Sequence, residues 1–246
     1  MKIIQRIKNS INTPLGWFGF RISTELTAQR RFVDSLKSLS KLIRTPATVI
    51  DVGFASGTTE LIETFSPTKS TYLAIDANPH FKEKIESFCK KYNAHSEMVF
   101  CGEKEGEVVF TIHQDHYKSS RYSGPISGSI QSIVPMKRLD TVVEEHGLSG
   151  PYLLKIDAEG AELDVLAGAE KTLETCEAVI VEAFVYRRFK NSSTFTSLVS
   201  FMDRRGFDVF DIFEQFYHKK TSLLLMTNIV FVKRDNQEWE KGVLNG

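Results

Sequence analysis

The sequence predicts an α/β domain with a mainly parallel sheet covered by helices on both faces, preceded by a helical N-terminal extension. From residue 47 onward, short β-branched runs alternate with segments of helical periodicity, as they do in parallel-sheet proteins. Several of these runs end in an acid followed by a turn. The length of 246 residues, with 41% hydrophobic and 25% charged residues, suits one globular domain of ordinary size.

The N-terminal extension, residues 1–46, is basic. Residues 1–48 hold nine basic and two acidic side chains, a charge of +7, so the rest of this neutral chain carries −7. Residues 1–10 have the pattern of a short basic amphipathic segment. A helix is predicted over residues 24–44, ending before Thr45-Pro46. The extension either makes peripheral contact with an anionic membrane surface or packs on the main body, and the sequence leaves both open.

The elements of the main domain, residues 47–235, follow in order along the chain. Strands are predicted over residues 48–52, 71–75, 98–101, 107–112, 152–156, 178–181, 207–213 and 227–232. Helices are predicted over residues 58–65, 78–92, 140–146 and 194–205, with a further helix starting near residue 161. Asn78 and Pro79 are typical of a helix N-cap and first turn. Residues 236–246 form a C-terminal tail.

Composition excludes several classes of protein. Lys+Arg and Asp+Glu number 31 each, so the chain lacks the surplus cations of a nucleic-acid-binding protein. Cys89, Cys101 and Cys176 are too few and too scattered for a disulfide framework or a zinc site, and they suit a reducing cytoplasm. The sequence has neither the ~20-residue apolar run of a membrane span nor the features of a signal peptide. We therefore expect a cytoplasmic protein, for which a homodimer is compatible with the sequence.

Acidic side chains end, or directly follow, four of the predicted strands: Asp51, Asp76, Asp157 and Glu182. Because ligands of open α/β sheets bind beyond the carboxyl ends of the strands, these acids are expected to converge on one ligand. The first turn, DVGFASG at residues 51–57, lacks the Gly-x-Gly-x-x-Gly spacing of a dinucleotide site and the Lys-Ser/Thr of a P-loop. An acid at this turn favours a cation over a phosphate. This pattern predicts S-adenosylmethionine, with its ribose at Asp76; NAD would use the same acid but a different glycine spacing.

The fourth strand and its turn carry the string LLKIDAEGAELDVL at residues 153–166. Lys155 and Asp157 point to the same side of the strand. A lysine inside a central strand needs a partner, and either Glu182 or Asp51 is expected to be that partner. Asp157 is expected to face the ligand. Glu159 and Glu162 could face the ligand as well, or simply favour the start of the following helix.

These strings resemble the FkbM-type methyltransferases. KIDAEGAELDVLAGA is the specific part, and DVGFASG and IDANP resemble the family's first two motifs in the same order, over residues 47–235. The resemblance implies a seven-stranded, Rossmann-like class I methyltransferase fold, S-adenosylmethionine as methyl donor, and O-methylation of a sugar, glycan or other small hydroxylated metabolite. Phe54 and Ala55 depart from the family's usual Ala-Asn, and Asp76 stands where the family usually has Glu.

The resemblance carries cofactor contacts onto nine positions: Asp51, Gly53, Ser56, Gly57, Asp76, Ala77, Cys101, Gly102 and Asp157. The first four would lie at the methionine end of the cofactor, Asp76 at the ribose, and Cys101-Gly102 near the adenine. Asp157 and Glu159 would border the methyl group and the acceptor. Neighbouring Lys155 and Glu182 would contact the substrate.

Transfer to a hydroxyl oxygen requires removal of a proton, for which a carboxylate is suited. We predict Asp157 as the base, with Glu159 as the second candidate. Residues 113–135 lack clear periodicity and are expected to form a loop over the acceptor, in which Tyr122 would bind it. No metal is predicted, although Asp157 and Glu182 are suited to hold magnesium in a metal-assisted alternative.

Two other functional classes remain open on the same fold. One is a protein or nucleic-acid methyltransferase. The chain has no Asn/Asp-Pro-Pro-Tyr string after the fourth strand, and its basic excess lies outside the catalytic half. The other is a non-catalytic binding module, against which the retention of Asp51, Asp76 and Asp157 argues.

Overall fold

Ten strands form two sheets in a computed structural model that describes residues 31–115, 118–124 and 127–235. In chain order the strands are β1 (Thr48–Val52), β2 (Thr71–Ile75), β3 (His95–Glu97), β4 (Phe100–Cys101), β5 (Gly106–Ile112), β6 (Ile130–Lys137), β7 (Tyr152–Ile156), β8 (Cys176–Phe184), β9 (Phe207–Tyr217) and β10 (Leu224–Lys233). The main sheet has seven strands in the order β3-β2-β1-β7-β8-β10-β9. Its first five strands are parallel, and β10 runs antiparallel to β8 and β9. The predicted mainly parallel, seven-stranded fold is confirmed.

Seven helices, all short, connect the strands of the described part of the chain. They are α1 (Phe32–Leu39), α2 (Thr59–Thr64), α3 (Lys82–Tyr92), α4 (Leu139–Glu145), α5 (Glu162–Ala167), α6 (Glu170–Glu174) and α7 (Phe195–Asp203). Asn78 caps a 3-10 turn before α3 by accepting the His80 N–H at 3.1 Å, as its position in the sequence predicts. Thr194 and Ser197 form a reciprocal capping box on α7. None of these helices is long and apolar enough to cross a bilayer.

The central strands β1 and β7 are buried on both faces because most of their side chains are apolar. In β1, Ile50 packs into one core cluster and Val49 into the other, and Leu154 and Leu153 repeat this alternation in β7. Leu36 from α1 joins the second cluster. The helices therefore cover two apolar faces, and only the strand ends remain for polar chemistry.

The third strand of the main sheet differs from the prediction. β3 pairs with β2, whereas the predicted strand at residues 98–101 supplies only β4, which lies in a separate sheet of order β4-β6-β5. β3 has the sequence His-Ser-Glu and lies at the sheet edge, so it lacks the apolar residues that mark a strand. The apolar residues Val99 and Phe100 are buried in the core without belonging to the main sheet.

Residues 130–135, which are predicted to be part of a loop, belong to β6. This strand pairs antiparallel with β5, with Val109 opposite Ile133. Ile130 and Ile133 are both 68% exposed, so the strand lacks the clear in-out alternation from which it could be recognised.

The first described helix is shorter than predicted. α1 ends at Leu39, and two i→i−3 hydrogen bonds, from Lys41 N to Ser38 O and from Leu42 N to Leu39 O, tighten the chain after it. The predicted amphipathic segment at residues 1–10, the start of the helix at residues 24–30 and the tail at residues 236–246 lie outside the described residues.

Candidate active site

A cavity of about 540 Å³ opens at the carboxyl ends of the parallel strands. Its wall includes seven residues that the sequence predicts for the site: Gly53, Asp76, Ala77, Cys101, Asp157, Glu159 and Glu182. They come from the ends of β1, β2, β4, β7 and β8, so residues far apart in sequence meet at one edge.

The first turn fits tightly against the end of β7. Gly53 has φ +79°, and a Cβ atom there would lie 1.9 Å from the carbonyl oxygen of Asp157. Only glycine fits this approach. The turn residue Ala55 lines the cavity, whereas Phe54 is buried in a cluster with Phe81 and Ile85. Phe54 and Ala55 are the two residues at which this first turn departs from the family's usual sequence. Phe54 packs in the core, and Ala55 places a methyl group at the cavity wall.

Asp76 at the end of β2 is held by the turns around it. Its Oδ2 accepts the Ala55 N–H and its Oδ1 accepts the Asn78 N–H, both at 2.7 Å. Burial raises the pKa of Asp76 to about 6, against the lowering effect of these two donors. Each carboxylate oxygen keeps a second lone pair. Asp76 can therefore accept two further hydrogen bonds from a ligand in the cavity.

Three carboxylates meet on the opposite side of the site, from Asp157, Glu159 and Glu182, with ligand oxygens within 4.8 Å of one another. Burial, followed by repulsion from the neighbouring carboxylates, raises the pKa of Glu182 to about 9. Burial and the Asp157 charge raise the pKa of Glu159 to about 7, although Arg188 opposes this shift through an ion pair with Glu159. This acidic cluster therefore retains protons at neutral pH. Its spacing is also suited to a divalent cation.

The turn that presents Glu159 has left-handed backbone conformations at two consecutive residues. Glu159 has φ +49° and Gly160 has φ +102°. The Gly160 N–H donates to Glu162 Oε1, and the Gly160 carbonyl accepts from the Ser193 N–H, both at 2.8 Å. Ser120 Oγ donates to the Glu159 carbonyl at 2.8 Å. Glu162 lies in the first turn of α5, as the predicted role at the helix start requires, and its buried carboxylate also holds the preceding turn by accepting the Gly160 N–H.

Lys155 and Asp51 form a buried pair at the centre of the sheet instead of lining the cavity. Lys155 Nζ lies 3.0 Å from Asp51 Oδ1 and 3.9 Å from Asp157 Oδ2. Of the two predicted partners for Lys155, Asp51 is the one in contact. The Asp51 carboxylate also accepts from Thr58 Oγ1 at 3.3 Å. This ion pair places a positive charge beside Asp157, and the contacts of Lys155 with substrate and of Asp51 with cofactor stay predictions.

The remaining predicted residues lie off the cavity wall: Ser56, Gly57, Gly102 and Tyr122. Tyr122, predicted to bind substrate, instead donates its hydroxyl to Asp164 Oδ2 at 2.8 Å. Asp164 also pairs with Arg121 at 3.1 Å. The predicted loop does reach the site, through Lys118 and Ser119, which line the cavity.

The sequence patterns did not reveal the part of the wall that follows Glu182, although the segment of residues 213–226, with Phe216 in it, is predicted as a second candidate wall. Phe184, Tyr186 and Arg188 follow Glu182 at alternate positions, and Phe216 and Met226 come from the β9–β10 hairpin. Phe184 shares the strand face of Glu182 because it lies two residues further along β8, whereas Tyr186 and Arg188 follow the end of that strand, where no strand periodicity marks them.

The family profile described as "Methyltransferase FkbM domain" matches residues 51–209. The chain belongs to the FkbM methyltransferase family. The seven-stranded, mainly parallel sheet of this FkbM-family protein is the Rossmann-like fold that the sequence predicts.

Two curated relatives match parts of this FkbM-family chain. It is 37% identical over 70 residues to the 2-O-methyltransferase NoeI of Sinorhizobium fredii, covering 28% of this chain and 26% of NoeI. It is 25% identical over 226 residues to the AMB antimetabolite synthetase AmbE of Pseudomonas aeruginosa, covering 76% of this chain and 11% of AmbE. The chain thus spans about a quarter and about a tenth of the lengths of these relatives. An O-methyltransferase from Bacillus cereus, solved in complex with SAH, has a TM-score of 0.45 and 12% identity over 93% of this chain and 90% of its own.

The acidic cluster predicts how the FkbM-family protein's stability depends on pH. In the folded state the pKa values of Glu159 and Glu182 are about 7 and about 9, above the ordinary 4.5. At pH values between 4.5 and these raised values, the folded state therefore binds more protons than the unfolded state. The free energy of unfolding should therefore fall as pH rises from about 5 to 9. Melting temperatures at matched ionic strength would show this decline, and Glu182→Gln should flatten it above about pH 7. A melting temperature that rises with pH in both proteins would contradict these shifts.

Proposed function

We propose that this methyltransferase transfers the methyl group to a hydroxyl oxygen of a sugar, glycan or other small hydroxylated metabolite, with Asp157 as the base. The observation that carries the proposal is the acidic cluster of Asp157, Glu159 and Glu182 on the cavity wall. A carboxylate within reach of the acceptor hydroxyl is the group that oxygen methylation needs. NoeI, named a 2-O-methyltransferase, matches part of the chain and supports the choice of oxygen.

The groups that line the cavity can make the contacts that S-adenosylmethionine needs. Asp76 has free lone pairs for ribose hydroxyls, and Val99, Phe100 and Cys101 supply an apolar wall for a nucleobase. The Asp157 carboxylate on the cavity wall offers negative charge to a sulfonium or an ammonium. When bound, this cofactor supplies an electrophilic methyl carbon.

The protein's own part is to hold the acceptor and take its proton. The Asp157 side chain is 36% exposed, whereas Glu159 is tied by Arg188 and is 15% exposed. Glu182, with a pKa of about 9, carries its proton at neutral pH and can donate a hydrogen bond to an acceptor oxygen. Asp157 is therefore the carboxylate placed to accept the hydroxyl proton, and alignment of the acceptor contributes about 7–11 kcal/mol to lowering the barrier.

The test of the proposed function uses S-adenosylmethionine with a labelled methyl group and a panel of monosaccharides and alkyl glycosides. Label in a product that resists mild base, as methyl ethers do and methyl esters do not, would support O-methylation. Calorimetry with S-adenosylmethionine distinguishes the remaining classes. Absence of binding heat would favour the non-catalytic module, whereas binding with label only in added protein or nucleic acid would favour the other rival.

Asp76→Ala should weaken S-adenosylmethionine binding by about 10- to 150-fold, because one or two charged hydrogen bonds to the ribose are lost. The dissociation constant from calorimetry measures this loss directly. Asp164→Ala is the matched control, since Asp164 is a partly buried acid whose partners Tyr122 and Arg121 lie off the cavity. Equal affinities of Asp76→Ala and the original protein would refute the ribose role.

A further inference from the structure

Beside the acidic cluster lies a row of apolar side chains that the proposed chemistry does not use. Phe184 on β8 is paired with Met226 on β10, and Met226 is paired with Phe216 on β9. All three line the cavity. Cross-strand neighbours stand about 5 Å apart, so the row extends across three strands. Phe184 is two residues beyond Glu182 on the same strand face, which puts the row about 7 Å from that carboxylate.

The outer end of this apolar row is open to solvent. Tyr186 is 41% exposed and Phe216 is 49% exposed, although both line the cavity. Large apolar side chains left in contact with water at the mouth of a cavity favour a ligand that covers them. The acid that would take the proton and the apolar row therefore belong to one continuous surface.

Charges around the cavity select against an anionic ligand. The described residues that line it include four acids, Asp76, Asp157, Glu159 and Glu182, and two cations, Lys118 and Arg188. Both cations are engaged with acids of this chain. Lys118 lies 2.5 Å from Asp115, and Arg188 pairs with Glu159 while its guanidinium lies 4.8 Å from the centre of the Phe184 ring. Because both lining cations are already paired, the described wall offers a carboxylate or phosphate no unpaired cation, and the Asp157 carboxylate would repel such a group next to the reacting hydroxyl.

We propose that the acceptor is an uncharged hydroxylated molecule with an alkyl or aromatic group close to the hydroxyl, and that Phe184, Tyr186, Phe216 and Met226 bind this group. The inference rests on the proposed function and narrows its acceptor class. A free sugar alone leaves the apolar row uncovered. An alkyl or aryl glycoside covers the row with its apolar part while its hydroxyls face the acidic cluster.

The test compares octyl β-D-glucopyranoside, below its micelle concentration, with methyl β-D-glucopyranoside on the 246-residue chain saturated with S-adenosylhomocysteine. Carbon-13 labelling of methionine methyl groups reports binding at Met226, whose signal is assigned by Met226→Leu. We expect the octyl probe to bind at least about tenfold more tightly, because burial of about two methylene groups gives that factor. Equal affinities, or no saturable shift with either probe, would overturn the proposal.

Phe216→Ser should weaken binding of the octyl probe about fivefold, as expected for partial loss of one apolar contact surface. Tyr217→Ser is the matched control, because Tyr217 is the neighbouring residue on the same strand, is 52% exposed and does not line the cavity. Equal weakening by both variants would assign the effect to non-specific detergent binding and overturn the proposal.

Calorimetry with S-adenosylmethionine on the same samples separates failure of the proposed function from failure of the apolar subsite. Missing heat refutes the proposed function, whereas normal heat without octyl preference refutes only the apolar subsite.

Discussion

Asp157→Asn is expected to reduce methyl transfer by about 10²–10⁴-fold, the contribution that a positioned acid or base makes. Asparagine keeps the shape of the side chain but cannot accept the hydroxyl proton. The backbone contact of this residue, Asp157 N–H to Val52 O at 2.9 Å, does not involve the side chain. Cofactor affinity should therefore remain within about a few-fold of the original. Turnover is measured with labelled S-adenosylmethionine on the best acceptor of the panel, and affinity by calorimetry.

Glu159→Gln serves as the comparison for this variant. Glu159 is engaged with Arg188, so its loss should reduce turnover less than the loss of Asp157. A larger effect of Glu159→Gln would transfer the role of base to Glu159. Normal turnover by Asp157→Asn, with retained binding, would show that Asp157 is not the base.

The location of the site could be predicted from sequence because strand ends have a simple signature. β1, β2, β7 and β8 are mostly apolar, and an acid stands at or near the carboxyl end of each. In a parallel sheet all such ends lie at one edge, so Asp76, Asp157 and Glu182 converge without further information. The edge strand β3 and the small sheet of β4, β5 and β6 carried no such signature, since their pattern reflects local burial and exposure.

The roles of single residues were harder to predict than their neighbourhood. Lys155 and Asp51 have the residue types of a ligand-binding pair, and only the register of β1 against β7, which places them side by side, shows that they bind each other. Tyr122 lies in the loop that is predicted to cover the acceptor, yet its hydroxyl donates to Asp164, which is 42 residues away in the sequence. Pairings between distant segments depend on tertiary packing, which strand periodicity does not specify.

The Lys155–Asp51 pair leads to the largest expected effect on stability. The Asp51 side chain is 1% exposed and that of Lys155 is 14% exposed, so water cannot compensate either charge. Lys155→Met would leave a buried carboxylate whose described remaining side-chain partner is Thr58 Oγ1 at 3.3 Å. We expect a loss of about 3–5 kcal/mol in the free energy of unfolding, measured by denaturant titration.

The double variant Lys155→Met/Asp51→Leu tests whether the loss comes from the unpaired charge. Replacing both partners with apolar residues should recover much of the stability, because the penalty arises from one buried charge left alone. Lys82→Met is the matched control, since Lys82 forms an exposed pair with Glu86 at 3.9 Å, and little change is expected there. If the double variant lost as much stability as the sum of its two single variants, the loss would come from packing of the Lys155 side chain, and the unpaired-charge explanation would be wrong.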